Sequence, residues 1–123
     1  MLFNVNGKDY TRRIISGSYG VNSYDQYKEW TDANYDTHRH VFRSQVTGSF
    51  LMYFGRESEY NAFLEDMRTV KNNDGSFTIS VACNNTNDFR SNRKCYVEFN
   101  PVREQRVIGE AWYPQVQIKI EEV

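Results

Sequence analysis

Between His40 and Phe54 the sequence alternates between apolar and polar residues, and it then changes to the three-to-four spacing of an amphipathic helix. The alternation predicts a strand with one apolar and one polar face. The apolar face carries Phe42, Val46, Phe50, Met52 and Phe54, with Gly48 among them, and the polar face carries Arg43, Gln45, Thr47, Ser49 and Tyr53. Fully extended at roughly 3.3 Å per residue, the segment spans about 50 Å, whereas a compact domain of this length is about 35 Å across. We therefore expect the strand either to bend at Gly48 or to project as an arm whose apolar side is covered by a partner.

Length and composition favour a single domain, residues 1–123. With 39% hydrophobic and 15% aromatic residues, the chain can build one core and is too short for two. The formal net charge of -1 gives no global field toward nucleic acid or an anionic membrane. No apolar run approaches the roughly 20 residues of a membrane-spanning helix, and the start lacks the pattern of a signal peptide. We expect a protein that is made in a cytoplasm and has no membrane partner.

The first third of the chain reads as strands and a loop. Leu2 to Val5 predicts a short strand, and the turn signal Asn6-Gly7 leads into a second strand that ends near Ile15. Tyr19 to Tyr27 alternates weakly and predicts another strand. The segment from Lys28 to Thr37 has no period and has the composition of a loop, in which Trp30 and Tyr35 serve as large anchors.

A helix is predicted at about 57–72. Ser58 is the expected cap, Glu59 in the first turn favours the positive end of the helix dipole, and Asp74-Gly75 supplies the stop. The apolar face is formed by Tyr60, Phe63, Leu64, Met67 and Val70. The face toward solvent is expected to carry Glu65, Asp66, Arg68 and Lys71.

Three strands are predicted after the helix. One holds Phe77 to Cys83, a second holds Cys95 to Phe99 after the polar loop NNTNDFRSNR, and these two pair as a hairpin. The last strand places Pro114 at an edge or a bulge, because proline gives no amide hydrogen to a ladder. The fold class is therefore mainly β (α+β), an antiparallel β-sandwich or open barrel with one packed amphipathic helix and a long β-hairpin arm. The predicted core comprises Phe50, Met52, Phe54, Phe63, Leu64, Met67, Phe77, Ile79, Val81, Val97, Phe99, Val116 and Ile118.

Several runs carry a resemblance to a known group of proteins. They are EWTDANYDTHRHVFRSQVTGSFLMYF, SEYNAFLEDM, VACNNTN and YVEFNP. Together they resemble small proteins encoded in the tail region of phages and prophages of Gram-positive gut bacteria, a group with no associated reaction. The order of long strand pair, helix and closing strands is also similar to the sandwich of tail-tube proteins and of the first domain of distal tail proteins.

The resemblance implies a virion structural protein, made in the bacterial host cytoplasm, that forms a hexameric ring in a non-contractile tail. Its partners would be copies of itself and neighbouring tail proteins, with the hairpin arm completing a neighbour's sheet and DNA passing through the lumen without specific binding. The chain departs from the pattern in being short for a major tube protein and in lacking the second domain of a distal tail protein. Its station in the tail is open.

The candidate subunit interface lies on the predicted loop and the long strand. Its residues are Trp30, Tyr35, His38, His40, Phe42, Arg43 and Gln45. Open strand edges there invite pairing with another chain. The basic groups Arg12-Arg13 and Arg90, Arg93, Lys94, together with Arg39 and Arg43, are solvated or paired by default, and otherwise contact subunits or form a stripe over which DNA passes.

Enzymatic chemistry is not expected. His38 and His40 share a strand face and could begin a metal site, but no third ligand is apparent, so structural or interface roles are favoured. Cys83 and Cys95 fall on apolar strand faces and read as small buried hydrophobes. No GxSxG turn, glycine-rich phosphate loop or HExxH helix is present, and no cofactor is implied.

A competing hypothesis is a monomeric phage-encoded binding module for a carbohydrate, a receptor or a host protein. The aromatic residues that could stack on sugars or bases are Tyr19, Tyr24, Tyr27, Trp30 and Tyr35. Core and interface packing is the simpler explanation of the same residues. The oligomeric state discriminates between the two hypotheses.

Overall fold

The computed structural model describes all residues of the chain except the side chain of Phe42. The predicted place of Phe42 on the apolar face and in the interface therefore lies outside the described residues. Strands account for 58% of the chain. The elements are β1 (Phe3–Val5), β2 (Lys8–Asp9), a 3₁₀ turn (Thr11–Arg13), β3 (Gly20–Thr31), β4 (Thr37–Phe54), α1 (Glu57–Thr69), β5 (Phe77–Cys83), β6 (Asp88–Glu104) and β7 (Trp112–Glu122).

The strands form one antiparallel sheet in the order β2-β1-β5-β6-β7-β4-β3. The sheet curls until its two sides approach each other, and the amide of Asn84 after β5 donates to the carbonyl of Val21 in β3 at 2.9 Å. It does not close. This is the predicted mainly β class, in the form of an open barrel that carries one helix.

The core lies inside the curl, beneath the helix. Phe63 of α1 contacts Phe3 at 6.1 Å and Phe54 at 5.5 Å between ring centroids, and Phe3 contacts Phe50 at 5.0 Å. Every predicted core residue is buried or packs against the buried cluster. Burial of these aromatic and aliphatic side chains supplies the main driving force for the fold.

Helix α1 confirms the predicted start and apolar face but not the predicted cap. Arg56 is the N-cap residue and makes no side-chain capping bond, so Ser58 as the cap was wrong. The hydroxyl of Ser58 lies within 3.4 Å of Glu110 instead. The helix ends at Thr69 rather than near residue 72, because Val70 leaves helical geometry and its carbonyl accepts from Thr78 of β5 at 3.1 Å.

Two predicted strand boundaries were wrong. The second strand does not run to Ile15, because Asp9 accepts hydrogen bonds from the amide and hydroxyl of Thr11 and turns the chain into the 3₁₀ segment. The strand β6 begins at Asp88 and not near Cys95, so most of the predicted polar loop is strand. Polar residues are accommodated there because they find partners: Arg90 binds Asp88 and donates to Ser44, and Arg93 lies 3.4 Å from Glu122.

Pro114 lies in β7, which is a central strand between β6 and β4, so an edge position is excluded. The pairing of β7 with β4 shifts register between Met52 and Phe54, opposite Val116 and Tyr113. Pro114 falls in this irregularity, where the ladder does not need its amide hydrogen. The bulge alternative is therefore confirmed.

Asp66 was predicted to face solvent and is instead 5% exposed. Its carboxylate accepts hydrogen bonds from Asn6 at 3.3 Å, from Lys8 at 3.2 Å and from the Tyr10 hydroxyl. Burial raises the pKa of this carboxyl, but the three donors outweigh burial and leave the pKa below its ordinary value. Asp66 thus fastens the N-terminal hairpin to the helix.

Candidate functional site

The outer half of the β3–β4 hairpin projects from the sheet. The two strands pair along their whole length, from Gly20 opposite Ser49 to Thr31 opposite Thr37. The other neighbour of β4 is β7, which pairs with β4 only from Thr47 onward. Residues 24–45 are therefore a two-stranded ribbon without a further strand on either side, within the described part of the chain, and we call them the arm. At roughly 3.3 Å per residue, the stretch Thr37–Ser44, which pairs with β3 alone, extends about 26 Å beyond β7.

The tip of the arm is a turn organised by Asp32. Its Oδ1 accepts from the amides of Asn34 at 2.9 Å and Asp36 at 3.1 Å, and its own amide donates to the Asp36 carbonyl at 3.0 Å. Tyr35 sits at the tip with φ 65° and is 89% exposed. The turn is thus held by hydrogen bonds of Asp32, and neither the Trp30 nor the Tyr35 side chain takes part in them.

Trp30 and Tyr35 do not pin a loop to the body, so that prediction was wrong. Trp30 belongs to β3, which continues to Thr31, and its side chain is 49% exposed. The sequence pattern failed here because the outer part of β3 has no buried face to impose a two-residue period. Both aromatic residues are presented to solvent.

One face of the arm combines aromatic and basic side chains. Trp30 stacks on His38 with ring centroids 5.4 Å apart and 21° between planes, and Lys28 lies directly opposite His40. Cross-strand neighbours share a face, which extends this set to Tyr24, Gln26, Arg43 and Gln45. We call it the Trp30 face.

The carboxylates of the arm's strands lie on the opposite face. There Arg39 lies 3.8 Å from the centroid of the Tyr27 ring and binds Glu29 at 2.8 Å. Asp25 shares that face by the two-residue period of β3. Among the strand residues of the arm, the carboxylates thus lie on the face opposite Lys28, and the one carboxylate that reaches the Trp30 face is Asp32 of the turn, which is bonded to His38.

Gln45 anchors the root of the arm. It was predicted to be on the wet face and in the interface, but it is 6% exposed. Its Oε1 accepts from the Tyr24 hydroxyl at 2.9 Å and from Gln26, and its Nε2 donates to the Glu122 carbonyl. Beside it, Arg43 donates to the Val123 carbonyl. These contacts hold the arm in its direction and use Gln45 inside the subunit.

The two histidines stay on one strand face, as predicted, but His38 is bonded inside the tip. Its Nε2 lies 2.7 Å from Oδ2 of Asp32, and this hydrogen bond contributes most to lowering the pKa of Asp32. Among the described residues no three His, Cys, Asp or Glu side chains come close enough together to hold a metal ion. His40 faces solvent.

The cysteines are buried, 1% exposed for Cys83 and 0% for Cys95. Burial raises the pKa of the Cys95 thiol to about 12 and raises that of Cys83. Since the thiolate is the nucleophile, both residues act as small core hydrophobes at neutral pH.

The edge of β3 is covered in the body and open in the arm. Asn85 accepts at 2.9 Å from the amide of Ser23 and donates back to the Ser23 carbonyl, so its side-chain amide takes the place of a neighbouring strand. Beyond Ser23 no such partner lies along the edge within the described residues. Sequence reasoning missed Asn85 because a side-chain amide in a polar turn gives no periodic signal.

A groove lies on the outer face of the sheet beside the root of the arm. Its volume is about 410 Å³. The outward side chains that line it are Thr47, Ser49, Tyr96, Glu98, Lys119 and Glu121. Glu98 lies in register with Lys119, and Tyr96 with Glu121. The Tyr96 side chain is 48% exposed. The alternation of β6 and β7 was the signal that could have found this surface.

The remaining basic residues are partly paired. Arg90 binds Asp88 at 2.7 Å, Arg93 lies 3.4 Å from Glu122, and Arg13 pairs with Glu59. Arg12 and Lys94 are exposed. Arg90 also donates to the Ser44 hydroxyl of the arm at 3.3 Å.

In the described part of the chain, no helix has both the length and the apolar character needed to span a membrane. Comparison with known proteins found no match to a family model, to a curated protein or to a solved structure.

Proposed function

We propose that this chain is a structural phage tail protein, a ring subunit that assembles with copies of itself through the arm. The observation that carries the proposal is the projecting ribbon of residues 24–45, whose two strands pair only with each other beyond the body. A two-stranded hairpin alone is at best marginally stable in water. A neighbouring subunit would supply the missing contacts.

The arm has the composition of an interface. Its exposed fractions are 45% for Tyr24, 45% for Tyr27, 49% for Trp30, 89% for Tyr35 and 48% for Val41. Tyrosine and tryptophan are enriched at the centres of interfaces, where they contribute most of the binding energy. A cluster of such residues on one projecting element supports docking on another protein.

The open edges of the arm support docking between copies of this chain. Unpaired strand edges readily add another strand, and the body side of β3 is already capped by Asn85. An arm that binds the body of the next copy repeats the same contact at every subunit, and such head-to-tail contacts form a ring when the rotation between neighbouring copies closes. The hexameric number, the tail and the neighbouring tail proteins come into the proposal from the sequence resemblance alone.

Sedimentation velocity on the purified chain, from micromolar to millimolar concentration, tests this proposal. A shortened variant joins Tyr27 to Val41 through Asn-Gly, because these two residues are directly paired and that dipeptide suits a two-residue hairpin. We expect the wild type to self-associate and the shortened variant to stay monomeric.

The matched control removes exposed apolar surface elsewhere. Val107 and Ile108 are 102% and 90% exposed in the β6–β7 loop, and the double variant Val107→Ser, Ile108→Ser should associate like the wild type. A wild type that remains monomeric at millimolar concentration would overturn the assembly proposal and favour the monomeric binding module.

A further inference from the structure

We infer that the groove beside the root of the arm is the docking site for the arm tip of a second copy of this chain. Trp30 enters the groove against Tyr96, and Lys28 and His40 face Glu98 and Glu121. This inference rests on the proposed self-assembly and specifies which two surfaces meet.

A chain cannot fill its own groove. Thr47 is a wall of the groove, and β4 runs from there without reversal to His38 at the arm tip, nine residues earlier. At roughly 3.3 Å per residue the tip lies about 30 Å from the groove. The occupant must therefore be another molecule, and each copy carries both the arm tip and the groove.

The charges on the two surfaces are complementary. Lys28 makes no ion pair among the described residues, and no strand carboxylate shares its face of the arm. The groove carries two carboxylates, Glu98 and Glu121, and one ammonium group, Lys119. Among the described residues none of the three forms an ion pair. Lys28, which lies on the same face as Trp30, and the net negative groove attract each other and fix the register of docking.

The groove also has the size and chemistry for an aromatic anchor. Its volume of about 410 Å³ falls within the roughly 300–1,000 Å³ of pockets that hold organic groups. Tyr96 gives it a half-exposed aromatic wall on which an indole ring can pack. Trp30 is the matching group, since it is half-exposed and held in place by its stack on His38.

A charge-swap experiment tests whether the tip and the groove meet. Lys28→Glu reverses the charge on the Trp30 face of the arm, and Glu121→Lys makes the net charge of the groove positive. Each variant alone should self-associate at least about tenfold more weakly than the wild type, because like charges face each other. An equimolar mixture should regain association to within about threefold of the wild type, since each arm now finds an opposite groove.

The control is Arg12→Glu, an equal change of charge at an exposed position of the body away from both surfaces. It should associate like the wild type, and thermal melts should show that all variants are folded. If the wild type associates but either variant alone does so undiminished, or the mixture does not recover, the inference fails while the proposed function stands. A monomeric wild type fails both.

Discussion

The two halves of strand β4 differ in their neighbouring strands and in the burial of their side chains. The inner half, Thr47–Phe54, pairs with β7, has β3 on its other side at Thr47–Ser49 and Ile14 opposite Met52, and contributes Phe50, Met52 and Phe54 to the core. The outer half, Thr37–Ser44, has one neighbouring strand and exposes its described side chains wholly or in part. One secondary structure element therefore serves stability at one end and recognition at the other.

The difference shows that strand formation and core formation are separable in this molecule. The inner half is held by burial on one face, by pairing with β7 and by shorter contacts with β3 and Ile14 on its other side. The outer half is held by one ladder, the Asp32 turn and the polar anchor at Gln45. Substitutions in the body should change the free energy of unfolding. Substitutions of exposed arm residues should leave the free energy of unfolding nearly unchanged and alter association.

The largest effect on stability is expected for Phe63→Ala. Phe63 is fully buried and contacts aromatic rings from β1, β4 and β6, so its loss should reduce the free energy of unfolding by about 3–5 kcal/mol. Urea unfolding followed by circular dichroism measures it. The counterpart in the arm is Tyr35→Ala, which should change stability by less than about 0.5 kcal/mol. Equal losses in both would erase the contrast between the two regions.

The next effect is expected at Gly48, where the body passes into the arm. Gly48 has φ 154°, and a Cβ there would lie 2.1 Å from the Gly20 carbonyl oxygen and 2.6 Å from the Val21 Cα. Gly48→Ala should therefore cost about 2–3 kcal/mol, because backbone and not a flexible side chain must move. In the matched variant Gly55→Ala the nearest atom lies at 3.5 Å, and thermal unfolding should be almost unchanged. A tolerated alanine at Gly48 would mean that β3 can separate from β4 there.

A smaller, pH-dependent effect is expected for Asp66→Asn. The substitution removes the charge that Asn6, Lys8 and Tyr10 stabilise, and a loss of about 2 kcal/mol is expected at pH 7. The folded-state pKa is below the ordinary 3.8, so the stabilisation is present above that value and disappears as the pH falls through the folded pKa. Unfolding curves of both proteins between pH 7 and pH 2.5 should converge in acid, and the exposed Glu65→Gln serves as the control. Curves that stay parallel would contradict the role given to the ionised carboxylate.

The smallest perturbation is hydrogen exchange, which changes no residue. Amides of β5 and β7 should exchange slowly, whereas outward amides of the arm, such as those of Asp25 and Glu29, should exchange within seconds in the monomer. On association the arm amides should become protected. Uniform slow exchange in a monomeric sample would show that the arm is as stable as the body without a partner.

The body could be predicted from the sequence because burial imposes a period. The pattern Tyr60, Phe63, Met67 specified the helix and its face, and Phe50 and Met52 specified the inner half of β4. Where side chains lack a buried face, the pattern weakens, and the composition of Lys28 to Thr31 therefore predicts a loop where the structure has a strand.

Polar contacts between distant parts of the chain were beyond sequence reasoning. Asp66 looks like any exposed helical acid until Tyr10 and Lys8 are placed against it, and Gln45 looks like a surface residue until Glu122 and Tyr24 surround it. Of the predicted interface residues, Trp30, His38 and His40 do come together, because they are close in sequence within one hairpin. The groove is lined by residues of β4, β6 and β7, so it can be located only when the order of the strands in the sheet is known.

The amide of Asn85 has a consequence for how the protein is made. It replaces a missing strand beside Ser23, yet it lies 62 residues later in the chain. The hairpin formed by β3 and β4 therefore leaves the ribosome before Asn85 does. During that interval the unpaired edge of β3 can pair with another nascent chain. Aggregation of this protein is therefore expected first among neighbouring chains on the same polysome.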